Sequence, residues 1–137
     1  MNLITDRTLE DVLLGTEKGH YGEADLNRVE YAVAELYELA KALGINPPGE
    51  IKTDWDLLAL FSSETWPTQH QMQRYLANIT HLCAAVELAG GLPRTMENLT
   101  WEDANRIEEA LLLAYPRIQN ALQIFRFSGE VFAGEEN

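Results

Sequence analysis

The chain predicts an all-α fold: a bundle of three long helices, one or two short helices, and a short extended C-terminal tail. Three apolar runs carry that prediction. Leu26, Val29, Val33, Leu36, Ala40 and Leu43 follow one another in steps of three and four residues, the spacing of one helical face. Met72, Tyr75, Ile79, Leu82, Val86 and Ala89 repeat those steps 46 residues on. Ala104, Ile107, Leu111, Ala114, Ile118 and Ala121 repeat them 78 residues on. With 137 residues, 46% of them hydrophobic, the chain is sized for one domain and one core over 1–137, with 126–137 as a tail or linker.

Each element has its own local justification. Thr8-Leu9-Glu10-Asp11 is a cap sequence that opens a short helix over about 8–14. The turn-rich "GTEKGHYG" follows. Gly22 and Asp25, Thr68 and Gln71, and Thr100 and Asp103 are three i, i+3 pairs, each just ahead of a long apolar run. In such a pair the first residue caps the helix and the second reaches back to its N–H. They start helices over about 22–43, 68–89 and 100–125. Gly44 with Pro47-Pro48 stops the first, and Gly90-Gly91 with Pro93 stops the second. Pro116 lacks an N–H and crowds the carbonyl four residues back, so the third helix should kink near it.

Residues 45–67 are long for a structureless loop and hold Trp55, Leu57, Leu58, Leu60, Phe61 and Trp66. A short helix over about 54–61 would cover one end of the bundle. Alternatively, Trp55 and Trp66 form an exposed aromatic patch for a partner. Beyond Phe125, "FRFSGEVFAGEEN" alternates apolar and polar residues, then turns to Gly and Glu, and reads as extended. Val131 and Phe132 in that tail are candidates for adding a strand to a neighbour.

The phrase "DLNRVE" at Asp25 returns as "DANRIE" at Asp103. Its Asp is explained by capping, but the remaining Asn-Arg-x-Glu is not. Asn27, Arg28, Glu30, Asn105, Arg106 and Glu108 are therefore read as a structural polar network between the first and third helices. The middle helix has only an echo of the phrase, Gln73-Arg74, with Leu76 where the acid would stand. A metal site is disfavoured: the phrase carries an Arg, lacks the central Gly and distant Glu of a calcium loop, and the chain has no Glu-x-x-His.

Twenty-two acidic residues oppose ten scattered basic ones, a net charge of −12. That balance argues against nucleic acid and anionic membranes as partners, since phosphate contacts need Lys and Arg clusters. The single cysteine, Cys83, falls on an apolar stripe and reads as a buried thiol. No phosphate loop, G-x-S-x-G or H-E-x-x-H is present, and His81 beside Cys83 is too few ligands for zinc. The chain reads as a non-enzyme with no cofactor and no metal. No apolar run approaches the roughly 20 residues of a membrane span, and the N-terminus lacks the basic start and apolar block of a signal peptide.

The phrases "LITDRTLEDV", "YGEADLNRVEYAVAEL", "KTDW", "PTQHQMQRYLANI", "LTWEDANRIEEALL" and "FSGEVFAGE" together resemble a module of phage and prophage structural proteins of Gram-positive bacteria. The resemblance spans Leu3 to Glu135. The two Asn-Arg-x-Glu phrases, Lys52-Thr53-Asp54-Trp55 and Arg74-Tyr75-Leu76-Ala77-Asn78 are its most telling parts. In that family the module sits in tail-associated or minor structural proteins, often beside other domains, and no catalytic residue carries over. The resemblance implies a non-catalytic structural or assembly protein acting through protein–protein contacts with virion or tail components, located in the virion if phage-encoded and otherwise cytoplasmic. A homo-oligomer is compatible with it, and whether the chain is a full gene product or one module stays open. An alternative from composition is a small acidic inhibitor that imitates the charge of DNA.

Overall fold

The computed structural model describes residues 2–51, 68–88 and 91–136, with the side chains of Glu23 and of 121–136 left aside. The fold is all-α. A short helix α1 (Leu9–Leu14) and a 3-10 turn (Glu17–Gly19) precede three long helices: α2 (Glu23–Ala42), α3 (Gln69–Ala85) and α4 (Trp101–Glu136). Among the described residues there is no strand. The predicted short helix at 54–61, with Trp55 and Trp66, lies outside them.

The helix starts follow their sequence signals. Thr8 and Asp11, Thr68 and Gln71, and Thr100 and Asp103 exchange reciprocal cap bonds, each side chain accepting from the other residue's backbone N–H. At Gly22 only the return half exists, because Gly has no side chain: Asp25 Oδ2 accepts from the Gly22 N–H at 2.8 Å. The apolar faces then meet. Val29 and Leu36 of α2, Ile79 and Leu82 of α3, and Ile107, Leu111 and Ile118 of α4 are completely buried.

The long helices begin at the same end of the bundle. Arg28 of α2 meets Glu108 of α4, Glu30 of α2 meets Arg74 of α3, and Tyr21, just ahead of α2, bonds the Tyr75 hydroxyl on α3. Farther along, Arg117 of α4 donates to the Val86 and Glu87 carbonyls just past α3, at 3.0 and 2.9 Å, so α3 and α4 run parallel. The end of α2 and the start of α3 therefore lie at opposite ends of the bundle, as do the end of α3 and the start of α4. That is why neither connection is the roughly 2–8-residue link of an antiparallel pair.

Two boundaries differ from expectation. The second long helix stops at Ala85 rather than 89, because Glu87 takes the left-handed conformation at φ +58° that ends a helix. The Glu87 N–H reaches the Ala84 carbonyl and the Leu88 N–H reaches that of Cys83, closing a Schellman turn. The first long helix closes the same way, but there Gly44 holds the left-handed position, as expected. Glu87→Gly removes the Cβ penalty at that position. It should stabilise the protein by about 0.5–1 kcal/mol, read as a higher urea midpoint at unchanged slope.

The C-terminal segment is the second correction. It is helical and not extended, since α4 continues from Trp101 to Glu136 through Pro116. Extending a formed helix adds one hydrogen bond per residue fixed, with no new nucleation cost. The tail's apolar residues also fit helical spacing, Phe125 to Phe132 and Phe127 to Val131, as well as alternation. Val131 and Phe132 therefore lie on a helix, not on a strand offered to a neighbour. At Pro116 the helix continues without a break, as expected: the backbone is helical on both sides. Pro116 is on the exposed face with Leu112, whose carbonyl loses its helical donor and faces that side. At 1.5 Å per residue α4 is about 54 Å long against about 30 Å for α2.

Candidate functional site

The polar residues of the repeated phrase converge at the helix starts, around a residue from outside the phrase. Arg7 is 3% exposed, and its guanidinium lies between α2 and α4. Its Nη2 donates to Asp25 Oδ1 at 3.0 Å and to Glu108 Oε2. Arg28 closes the other side: its Nε donates to Glu108 Oε1 at 2.6 Å, and its Nη2 to Glu108 Oε2 at 2.9 Å and Asp25 Oδ1 at 2.5 Å. Two guanidinium groups thus face two carboxylates. Burial is tolerable because the charges cancel and the lone pairs are taken.

Glu108, fully buried, accepts four hydrogen bonds, the fourth from the Ile4 N–H at 3.0 Å. Its two oxygens have about four acceptor sites, so none remains for a substrate. Bonding to Glu108, chiefly, holds the Arg28 pKa above its usual range.

The cluster also fastens the N-terminal segment. Arg7 Nε donates to the Lys18 carbonyl and Nη1 to the Ile4 carbonyl. The Asn105 side chain bonds both ways with the Arg7 backbone, accepting from its N–H at 3.0 Å and donating to its carbonyl at 2.9 Å. Residues 4–7 are therefore pinned across the start of α4 in the manner of a strand pair. Arg7 also sits over the Tyr21 ring, 5.5 Å from its centroid. Burial raises the pKa of Tyr21 and of Tyr75, so both hydroxyls stay neutral in their shared bond.

Of the six expected network residues, Arg28, Asn105 and Glu108 come together here. Glu30 does not join them; it pairs at 3.3 Å with Arg74 of α3. Arg106 is exposed, its stem beside Gly91, and Asn27 is half-buried next to Arg28. A rotational rule explains the split. In the register of the apolar runs, Arg28, Arg74 and Arg106 are equivalent positions, and so are Glu30, Leu76 and Glu108. Arg74 of α3 reaches Glu30 of α2, and Arg28 of α2 reaches Glu108 of α4. The third joint would run from Arg106 of α4 to position 76 of α3, where Leu76 offers no acceptor. Asp25, expected only as a cap, serves both as cap and as cluster member.

Two surface features lie outside every sequence expectation. First, α1 buries none of its residues: Leu9, Val12, Leu13 and Leu14 are 55%, 43%, 75% and 70% exposed. A six-residue helix is not stable alone. This one is held by the Thr8–Asp11 capping box, by Thr16 bonding back to Asp11, and by Gly19, where an added Cβ would lie 2.5 Å from the Asp11 backbone. Second, a groove of about 950 Å³ runs between α3 and residues 91–97. Met72, Leu76, Leu92 and Met96 line it, with His81 and Arg94 among its polar walls.

Among the described residues, no group of three or more His, Cys, Asp and Glu is placed to hold a metal ion, and no helix is long and apolar enough to cross a membrane. The buried Cys83 thiol has its pKa pushed up to about 11 by burial. Native protein at pH 8 should therefore resist a thiol reagent that labels it completely in denaturant; rapid native labelling would show that this helix face opens. Against known protein families, curated proteins and solved structures, the chain matches none.

Proposed function

We propose that this chain is a non-catalytic phage or prophage structural or assembly protein that works through protein–protein contacts, needing neither cofactor nor metal. The observation that carries the contact reading is α1. Capping bonds at both ends and a glycine contact hold a helix whose apolar side chains all face outward. Apolar clusters of this kind mark binding surfaces. The ion cluster supports the non-catalytic part, because Glu108 and Asp25 are committed to arginines and backbone donors. The phage assignment rests on the sequence resemblance from Leu3 to Glu135.

The acidic-inhibitor alternative is less well supported by the surface. Imitation of a DNA backbone needs a continuous acidic track. The exposed acids Glu35 and Glu38 of α2, and Glu102 and Glu109 of α4, are interrupted by Lys41, Arg106, Leu112 and Leu113. Lys41 pairs with Glu38 at 2.8 Å.

Mass spectrometry on particles purified after prophage induction tests the reading. Peptides from this chain at a fixed ratio to a tail protein are expected. Abundance in the lysate with absence from particles would transfer support to the inhibitor.

A further inference from the structure

We infer that the ion cluster is a recognition site for an extended, arginine-bearing peptide, which the chain fills with its own residues 4–7. The inference stands apart from the assembly reading and would survive its failure. It starts from the reach of one side chain. A guanidinium carries five N–H donors in a fixed fork. Arg7 finds an acceptor for each: the Lys18 carbonyl for Nε, the Ile4 carbonyl and Asn105 Oδ1 for Nη1, and Asp25 Oδ1 and Glu108 Oε2 for Nη2. The Tyr21 ring lies across the same group. Without Arg7, two buried carboxylates would share the single charge of Arg28, so the pocket keeps a place for one more cation.

The backbone is read as well. Asn105 accepts from the Arg7 N–H at 3.0 Å and donates to the Arg7 carbonyl at 2.9 Å, and Glu108 Oε1 accepts from the Ile4 N–H at 3.0 Å. These contacts hold a segment extended whatever its side chains are, as main-chain bonds do wherever a peptide is bound as a strand. Selectivity comes from the pocket for residue 7 alone. A lysine there has three donors at one point and cannot span the five acceptors.

The covalent link is not part of the site. After Arg7 the chain leaves the bundle and returns at Lys18. Between them α1 buries none of its residues, and the side-chain bonds of Thr8, Asp11 and Thr16 stay within residues 8–19. This excursion tethers the segment and adds no buried contact to it. A tether only raises the local concentration of what it carries, to about the millimolar range for a short flexible one. An arginine peptide supplied from outside makes the same contacts and competes with it.

The test cuts the tether. A specific protease sequence placed after Gly15, which is exposed, lets the full chain fold before it is cleaved once. Residues 1–15 should then stay with the remainder through gel filtration and exchange with a labelled synthetic peptide of the same sequence. The melting temperature of the cut chain should rise with added peptide, as for any ligand of the folded state. An Arg7→Ala peptide should bind about 100-fold or more weakly, as for a lost member of a buried ion group. Arg7→Lys should bind about 10-fold or more weakly. A Leu13→Ser peptide should match the original, since Leu13 is 75% exposed. Loss of residues 1–15 on dilution to low micromolar, or a melting temperature indifferent to the peptide, would overturn the site. Equal binding of the lysine peptide would overturn its selectivity for arginine. Weakening by Leu13→Ser as large as that by Arg7→Ala would show that α1, and not the pocket, holds the segment.

Discussion

Arg7→Met should cost about 3–5 kcal/mol, the range found when one member of a buried ion group is removed. The substitution leaves Asp25 and Glu108 buried with Arg28 as their remaining cation. It also frees the Lys18 and Ile4 carbonyls and uncovers the Tyr21 ring. Against the 5–15 kcal/mol of an ordinary domain this is a large fraction of stability, and the melting temperature should fall by roughly 10–20 °C. Arg7→Met combined with Glu108→Gln restores the charge balance and should recover part of the loss. Urea denaturation of the two variants checks both statements. A loss under about 1 kcal/mol for Arg7→Met would mean that residues 4–7 are not fastened to the bundle as described.

Glu108→Gln and Glu30→Gln should differ sharply, although the two acids occupy equivalent places in the repeated phrase. Glu108→Gln leaves two arginines facing one carboxylate and should cost about 3 kcal/mol or more. Glu30 has one acid-base partner among the described residues, Arg74, and burial outweighs that pairing, so its pKa is raised above the usual carboxylate value of 4.5. Glu30→Gln keeps an acceptor for Arg74 and removes the desolvated charge. Its effect at pH 7 should stay within about 1 kcal/mol in either direction. The pH dependence has a definite sign. The stability that protonated Glu30 contributes is complete below its unfolded value and is lost as pH rises through the raised folded value. The variant should therefore compare more favourably with wild type at pH 7 than at pH 4. Equal costs for the two variants at every pH would show that the repeat, and not the geometry, sets their roles.

What the sequence makes legible divides along range. The starts of α1, α3 and α4 are written in four consecutive residues each, because a cap is satisfied by neighbours three positions away. The apolar stripes are equally local and name most of the buried residues. Arg28, Asn105 and Glu108 could be suspected from the repeated phrase, but their centre could not. Arg7 stands in "TDRT" with no periodicity about it, and its partners on α4 lie about a hundred positions away. The one usable hint was an acid flanking a core stripe in a chain short of cations. The end of α3 is not legible because Gly90-Gly91 is the conventional stop, whereas Glu87 takes the left-handed turn first. The repeated phrase suggests a symmetry between α2 and α4 alone, and so does not reveal that Glu30 pairs with Arg74 of α3. The Arg-to-acid pairings instead join α2 to α3 and α2 to α4.

The ion cluster also imposes an order of events on synthesis. Arg7 and Asn105 are 98 positions apart. A ribosome adding about 5–20 residues per second needs roughly 5–20 s to make the chain between them. Until α4 emerges, Arg7 can meet Asp25 but not Glu108, and the stripes of α2 and α3 lack their third wall. Contacts of such long range slow folding, because the loop must close before they reward it. The ion cluster therefore cannot close until α4 is made, and the acidic excess helps keep unfinished copies apart in the meantime.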